Sequence, residues 1–318
     1  MSASTQGTVI VYQAYGDRSF HDQVAYSLAS LRAQGDSATA RTVVYTDTEG
    51  RYRSFGAEEV LVDAKKIALW QGPLGFVHRF KIAMILDAFV RYRSHVLYLD
   101  GDTFWCAAPA RLLDEISAGH GIVHKFEYWL GEGPHHDWLH RFVRRVQAGR
   151  LPPLACDLPR NIRMLNAGVL GIPYQHRAAV LQVLMLTDEL LLRCYQTEWL
   201  EQFAFSWVLP SVTPVVAAHR EVEHYWDDKF RARAVVTELI GEVMAGRIGP
   251  LDRDEFRRLG ARLLPGGEGR WHKAKRKTRR SLHKRISWIR ARRLARERWL
   301  QSEAYLTSVD DIRRSLGL

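Results

Sequence analysis

The chain has 318 residues, 47% of them hydrophobic and 25% charged, which excludes general disorder and fits one α/β domain with an appendage. No run approaches the roughly 18 consecutive apolar residues of a membrane span, and Met1–Gly16 lacks the basic-then-apolar pattern of a secretory leader, so a cytoplasmic protein is expected. The formal charge of +11 is uneven: Arg270–Arg298 holds fourteen Lys or Arg and one acid, a net of +13, so the other 289 residues sum to −2.

In chain order, Thr8–Gln13 (TVIVYQ) is a short apolar, β-branched run that predicts a buried strand. Asp17 is placed to cap an amphipathic helix to about Ala33, with Val24, Leu28 and Leu31 on one face. Arg41–Thr46 predicts a second strand ending at Asp47, and Val60–Val62 a short third. Gly75–Tyr92 predicts a helix with Phe76, Phe80, Met84 and Ile85 or Leu86 inward, leading into the strand His95–Asp100. Strands are further expected at Gly121–Phe126, Asn166–Pro173 and Val212–Ala217. Helices are expected at about 136–148, 177–194 and 197–209, and again after Glu223–Trp226 to about Ala245. Strands alternating with helices of this length imply a doubly wound, parallel sheet. Ligands of such sheets lie beyond the carboxyl ends of the strands, where Gln13, Asp47 and Asp100 all fall.

Asp100-Gly101-Asp102 is the sharpest chemical feature. Two carboxylates spaced i, i+2 past a strand end can turn toward one hard divalent cation, and Gly101 allows close backbone approach or a positive φ. Such an ion neutralises charge developing on a diphosphate leaving group. A bare DxD also occurs in solvated acidic turns; this one follows VLYL and a full helix, the context a strand-end metal site requires.

With these landmarks the chain resembles the GT-A-fold nucleotide-sugar glycosyltransferases, of the glycogenin and lipopolysaccharide galactosyltransferase type. The resemblance runs over about residues 8–230 and is carried by Val9–Tyr15, the helix containing Lys81, DGD at 100–102, NAGVLGI at 166–172, Glu201-Gln202, and HYWDDK at 224–229. It implies a Rossmann-type, mainly parallel sheet flanked by helices; a catalytic domain is expected at 1–265, and the charge run marks a basic helical tail at 266–318. It further implies that Asp100 and Asp102 hold Mn²⁺ or Mg²⁺ with His224 as third ligand. Gln13 and Tyr15 would lie against base or ribose, and Asp47 would face the nucleotide. Arg79 or Lys81 would reach phosphates or sugar, and Lys229 the diphosphate. Asn166 and Ala167 would line the sugar pocket, Glu201 would contact sugar hydroxyls, and Gln202 would sit near the anomeric carbon. A nucleotide-sugar donor (a UDP-sugar), a saccharide or glycolipid acceptor, and retention of configuration are what the resemblance implies. The chain departs from the family around Asp227, Asp228 and Phe230, where a glycine and a proline are usual. By themselves Asn166 is also a turn residue, Glu201-Gln202 a polar helix face, and His224 a packed histidine.

The basic segment, interrupted by Trp271, Leu282, Ile286, Trp288, Ile289, Leu294, Trp299 and Leu300, suits an anionic lipid surface, and thus a peripheral position on the inner face of a cytoplasmic membrane. Nucleic acid is the rival partner for the same charge and is not favoured, since it leaves the strand-end polar residues without a role. A haloacid-dehalogenase-like phosphatase using Asp100 is the rival enzyme; Thr103 follows the second aspartate one residue too early for that motif. His135, His136 and His140 read as a solvated helix start. Cys106, Cys156 and Cys194, odd in number and without CxxC spacing, read as reduced thiols.

Overall fold

The computed structural model describes residues 7–35, 40–132, 137–150, 161–194, 199–265 and 303–318. The basic segment 270–298, His135, His136 and Cys156 lie outside them.

Seven strands form the main sheet in the order β3-β2-β1-β4-β7-β6-β8. They are β1 (Thr8–Ala14), β2 (Arg41–Thr46), β3 (Glu58–Leu61), β4 (His95–Leu99), β6 (Gly121–Trp129), β7 (Arg163–Ile172) and β8 (Val215–Ala217). β1 to β4 are mutually parallel, and β6 pairs β8 in parallel; β7 alone runs the other way, antiparallel to both β4 and β6. The expected α/β class and mainly parallel sheet are what the chain forms, with this one reversal.

Alternation along β1 shows how the sheet divides the core. Val9 and Val11 face a layer made with α3 (Val77–Tyr92), α6 (Arg177–Arg193) and α7 (Leu200–Val212). Ile10, Tyr12 and Ala14 face the opposite layer, made with α1 (Arg18–Ala33), α4 (Ala110–Ser117), α8 (Lys229–Met244) and α9 (Arg253–Leu263). A strand covered on both faces must be apolar at every position, which is why TVIVY and HVLYL read as continuous runs. Asp17 caps α1 as expected, its carboxylate accepting from Ser19 N–H. Two short helices, α2 (Ala64–Gln71) and α5 (Asp137–Gln147), complete the described part of the N-terminal two thirds.

A second, two-stranded antiparallel ribbon joins β5 (Thr103–Trp105) to β9 (Val222–His224), with Thr103 opposite His224. Neither strand is legible in the sequence, each being three residues long. The last helix, α10 (Glu303–Ser315), falls within the expected tail but returns to the body. Val309 and Leu316 are buried in the main core, and Arg177 donates to the Leu316 carbonyl. Through Val309 and Leu316 this end of the chain packs against the body.

Candidate functional site

Three segments meet at the carboxyl end of β4. Asp100 N–H donates to the Gly168 carbonyl on β7 (2.8 Å) and Tyr225 N–H to the Asp102 carbonyl (3.2 Å). The turn between the aspartates is held by Thr103, whose hydroxyl donates to the Asp100 carbonyl at 2.7 Å. Gly101 does not take a positive φ. It is needed for close approach instead, because a Cβ there would lie 3.0 Å from Val24 Cγ2.

These contacts bring carboxylate oxygens of Asp100 and Asp102 and a ring nitrogen of His224 within 4.8 Å of one another. His224 Nε2 lies 3.2 Å from Asp102 Oδ1 and 3.9 Å from Asp100 Oδ2. Its other nitrogen, Nδ1, is 2.9 Å from Asn166 Oδ1. That oxygen also accepts from Gly168 N–H (3.0 Å), and the amide's nitrogen donates to Glu127, which fixes which way the amide points. An amide oxygen only accepts, so Nδ1 carries a proton and Nε2 is the ring nitrogen turned to the aspartates. Two carboxylates and an imidazole oriented by a backing hydrogen bond form a donor set that fits a divalent cation.

Gly168 makes this seat possible. A Cβ on it would fall 2.2 Å from His224 Nδ1, so the glycine of NAGV reserves the space for the ring. On the ring's other side His124 packs edge-on, centroids 5.3 Å apart, and its Nε2 bonds the Val222 carbonyl at 3.1 Å. Burial would raise the Asp102 carboxyl, but His224 and then Lys229, whose Nζ is 3.0 Å from Oδ2, outweigh it and hold the group well below the usual carboxylate range.

The site opens into a cleft of about 500 Å³. Gln13, Tyr15, Lys81, Asp100, Gly101, Asp102, Asn166, Ala167, Glu201, Gln202, His224 and Lys229 all line it. Gln13 Oε1 is buried there without a partner among the described residues. Tyr15 packs on Phe80 and accepts from Gln71 Nε2.

Two expected ligand contacts are placed otherwise. Asp47 is not in the cleft wall; it accepts from Gly16 N–H (2.9 Å) and pairs with His21 Nε2 (3.1 Å), holding the turn after β1 to β2. Arg79 is buried at 7% exposure in a bidentate pair with Asp188 and also donates to the Trp70 carbonyl, so its guanidinium ties α3 to α6.

Lys81 lines the cleft, yet its ammonium is committed to protein. At 2% exposure its Nζ lies 2.8 Å from Glu201 Oε1, 3.0 Å from the Ala167 carbonyl and 3.3 Å from Asp100 Oδ1. Burial disfavours that charge, but Asp100 and Glu201 prevail and raise its pKa. The Tyr98 hydroxyl donates to Asp100 as well; burial first, then Asp100, push that phenol well above its ordinary range. Of the three histidines expected as a solvated helix start, His140 is described, and its ring packs against the turn at Gly131.

Further residues of the cleft lining, given no role above, include Glu127, Trp199, Trp226 and Arg233. Glu127 bridges two amides, with Oε1 accepting from Asn166 and Oε2 from Gln202 Nε2. Trp199, just before α7, has φ 65°, a left-handed conformation uncommon for a bulky residue and found at functional turns. Trp226 is 39% exposed at the mouth, and Arg233 stacks over Phe20. Only Glu127 carries a readable signal, an acid interrupting the strand pattern of IVHKFEYW.

No family model matches the chain, and no curated protein does. Among solved structures it is similar to the galactosyltransferase LgtC in complex with donor and acceptor sugar analogues, at 14% identity and TM-score 0.49, covering 79% of this chain and 99% of that one. It is similar to mouse xyloside xylosyltransferase 1 (11%, TM-score 0.40, 67% and 86% covered). A third is the glycosyltransferase GlyE of Streptococcus pneumoniae TIGR4 (12%, TM-score 0.43, 80% and 60%). These structural neighbours are glycosyltransferases; the likeness is one of fold and assigns no residue of this chain a role.

Proposed function

We propose that the chain is a GT-A-type glycosyltransferase that moves a sugar from a nucleotide-diphosphate donor, a UDP-sugar, to a saccharide or lipid-linked acceptor. The observation that carries this reading is the Asp100, Asp102 and His224 cluster, with its imidazole oriented by Asn166, set in the wall of a cleft of about 500 Å³. Mn²⁺ or Mg²⁺ held there supplies charge neutralisation for the diphosphate leaving group.

The chain's own residues do the rest. Gln13, with its unpartnered acceptor, meets a donor N–H or hydroxyl of the base or ribose, beside Tyr15. Lys229, 48% exposed and bound to one carboxylate, is free to turn toward a phosphate. Lys81 stays with Asp100 and Glu201, holding both in place. Gln202 and Asn166 line the sugar end with Ala167. Glu201 is engaged with Lys81, Glu127 with two amides, and Asp227 is exposed and outside the cleft wall, so none of the three stands free as a general base for the acceptor hydroxyl. This favours retention over inversion. Among the described residues no helix is long and apolar enough to cross a membrane; the charge of residues 270–298 supports contact with an anionic membrane surface that carries the acceptor.

Thermal unfolding in the presence of UDP- and GDP-sugars, with and without Mn²⁺, tests the reading. A donor at a hundredfold its Kd stabilises the native state by about 2.7 kcal/mol. At least one UDP-sugar should raise the Tm, and more so with Mn²⁺. No metal-dependent shift with any donor would contradict the assignment.

A further inference from the structure

Glu127 projects from the far half of β6 and divides its carboxylate between two amides from different elements. Oε1 accepts from Asn166 Nδ2 on β7 at 2.9 Å, and Oε2 from Gln202 Nε2 on α7 at 2.8 Å. A carboxylate can only accept, so both amides must turn their NH₂ groups to it. Each amide oxygen is thereby sent the opposite way. That of Asn166 receives the His224 Nδ1 proton at 2.9 Å and so turns Nε2 toward Asp102, 3.2 Å away. That of Gln202 becomes the pole available to a ligand in the cleft that Gln202 lines.

We infer that Glu127 is a positioning residue that sets both ends of the cleft at once. The run Gln202–Glu127–Asn166–His224–Asp102 is continuous, each link 2.8 to 3.2 Å. It couples the carbonyl pole offered to the sugar to the orientation of the histidine offered to the metal. The inference rests on the glycosyltransferase reading above. A Glu127 that only bound a sugar hydroxyl would leave the His224 end of the run untouched, and that difference can be measured.

Glu127→Gln keeps the volume but offers one oxygen and one NH₂, so it can satisfy one amide and must turn or abandon the other. Calorimetric titration of Mn²⁺ into the donor-free protein should show affinity reduced about tenfold, the usual scale for a partner that orients a metal-bound histidine. Turnover of the UDP-sugar should fall while its KM changes little. Glu127→Ala, which removes the shared acceptor altogether, should lose Mn²⁺ affinity at least as much and carries the same test should the glutamine variant fold poorly. Wild-type Mn²⁺ affinity in both variants, with donor KM raised, would overturn the inference and make Glu127 a direct sugar contact. Absence of Mn²⁺ binding in the wild-type protein would instead defeat the glycosyltransferase reading on which the inference stands.

Discussion

On one side of the cleft, Gln13 and Asp100 arrive at the ends of parallel strands, each directly after a buried apolar run. On the other side, Glu127, Asn166 and His224 arrive by antiparallel pairing and side-chain contact between segments 39 to 122 residues apart. The first side is rigid because its strands are covered on both faces and its one buried ammonium, Lys81, is fully engaged. The second is assembled from a nine-residue strand with two register shifts and a three-residue ribbon. Rigid strand ends supply the aspartates, and a smaller unit brings in the groups that complete their shell.

This contrast can be strained at several points. The largest effect should follow from Lys81→Met, which leaves Asp100 and Glu201 facing each other without their cation. Removing one partner of a buried ionic group costs about 3 kcal/mol or more, and chemical denaturation should register that loss. A change below about 1 kcal/mol would mean that the parallel side is not held by this ammonium.

Next comes acid. Burial pushes the His124 imidazole down to about 3 from its ordinary 6.5. Between those values the unfolded chain binds the extra proton, so stability is complete above pH 6.5 and falls as pH drops toward 3. At pH 5 the loss amounts to about 2 kcal/mol. His124→Gln, which can still donate to the Val222 carbonyl, should shrink the Tm difference between pH 7 and pH 5. An unchanged difference would remove His124 as the acid-sensitive support of His224.

The smallest effect on stability belongs to Lys229→Gln, expected within about 0.5 kcal/mol because the ion pair is half-exposed. Its donor KM should nevertheless rise about tenfold, the scale of one lost charge-assisted hydrogen bond. Equal KM would show that Lys229 serves Asp102 alone.

How much of this was legible follows the same division. Continuous apolar runs gave away β1, β2 and β4, because strands buried on both faces tolerate no polar interruption. Asp100 and Asp102 could be read from their place after such a run, and His224 and Asn166 through the family resemblance. Glu127 is visible as an acid within a strand pattern, but its role is not: that depends on which amides face it across a sheet and a helix. The structural duties of Arg79 and Asp47 were hidden for the same reason, since Asp188 and His21 are remote or unremarkable in the chain. In the sequence Gly168 is one small residue of NAGVLGI; in the fold it is the space for an imidazole contributed 56 residues later.

Pulsed electron paramagnetic resonance on the Mn²⁺-loaded protein tests the proposed metal centre most directly. The account predicts a bound ion with a nitrogen coupling from His224 that disappears in His224→Ala, and binding weakened or lost in Asp102→Asn. Mn²⁺ that stays free in solution, or binds with no nitrogen coupling, would contradict it.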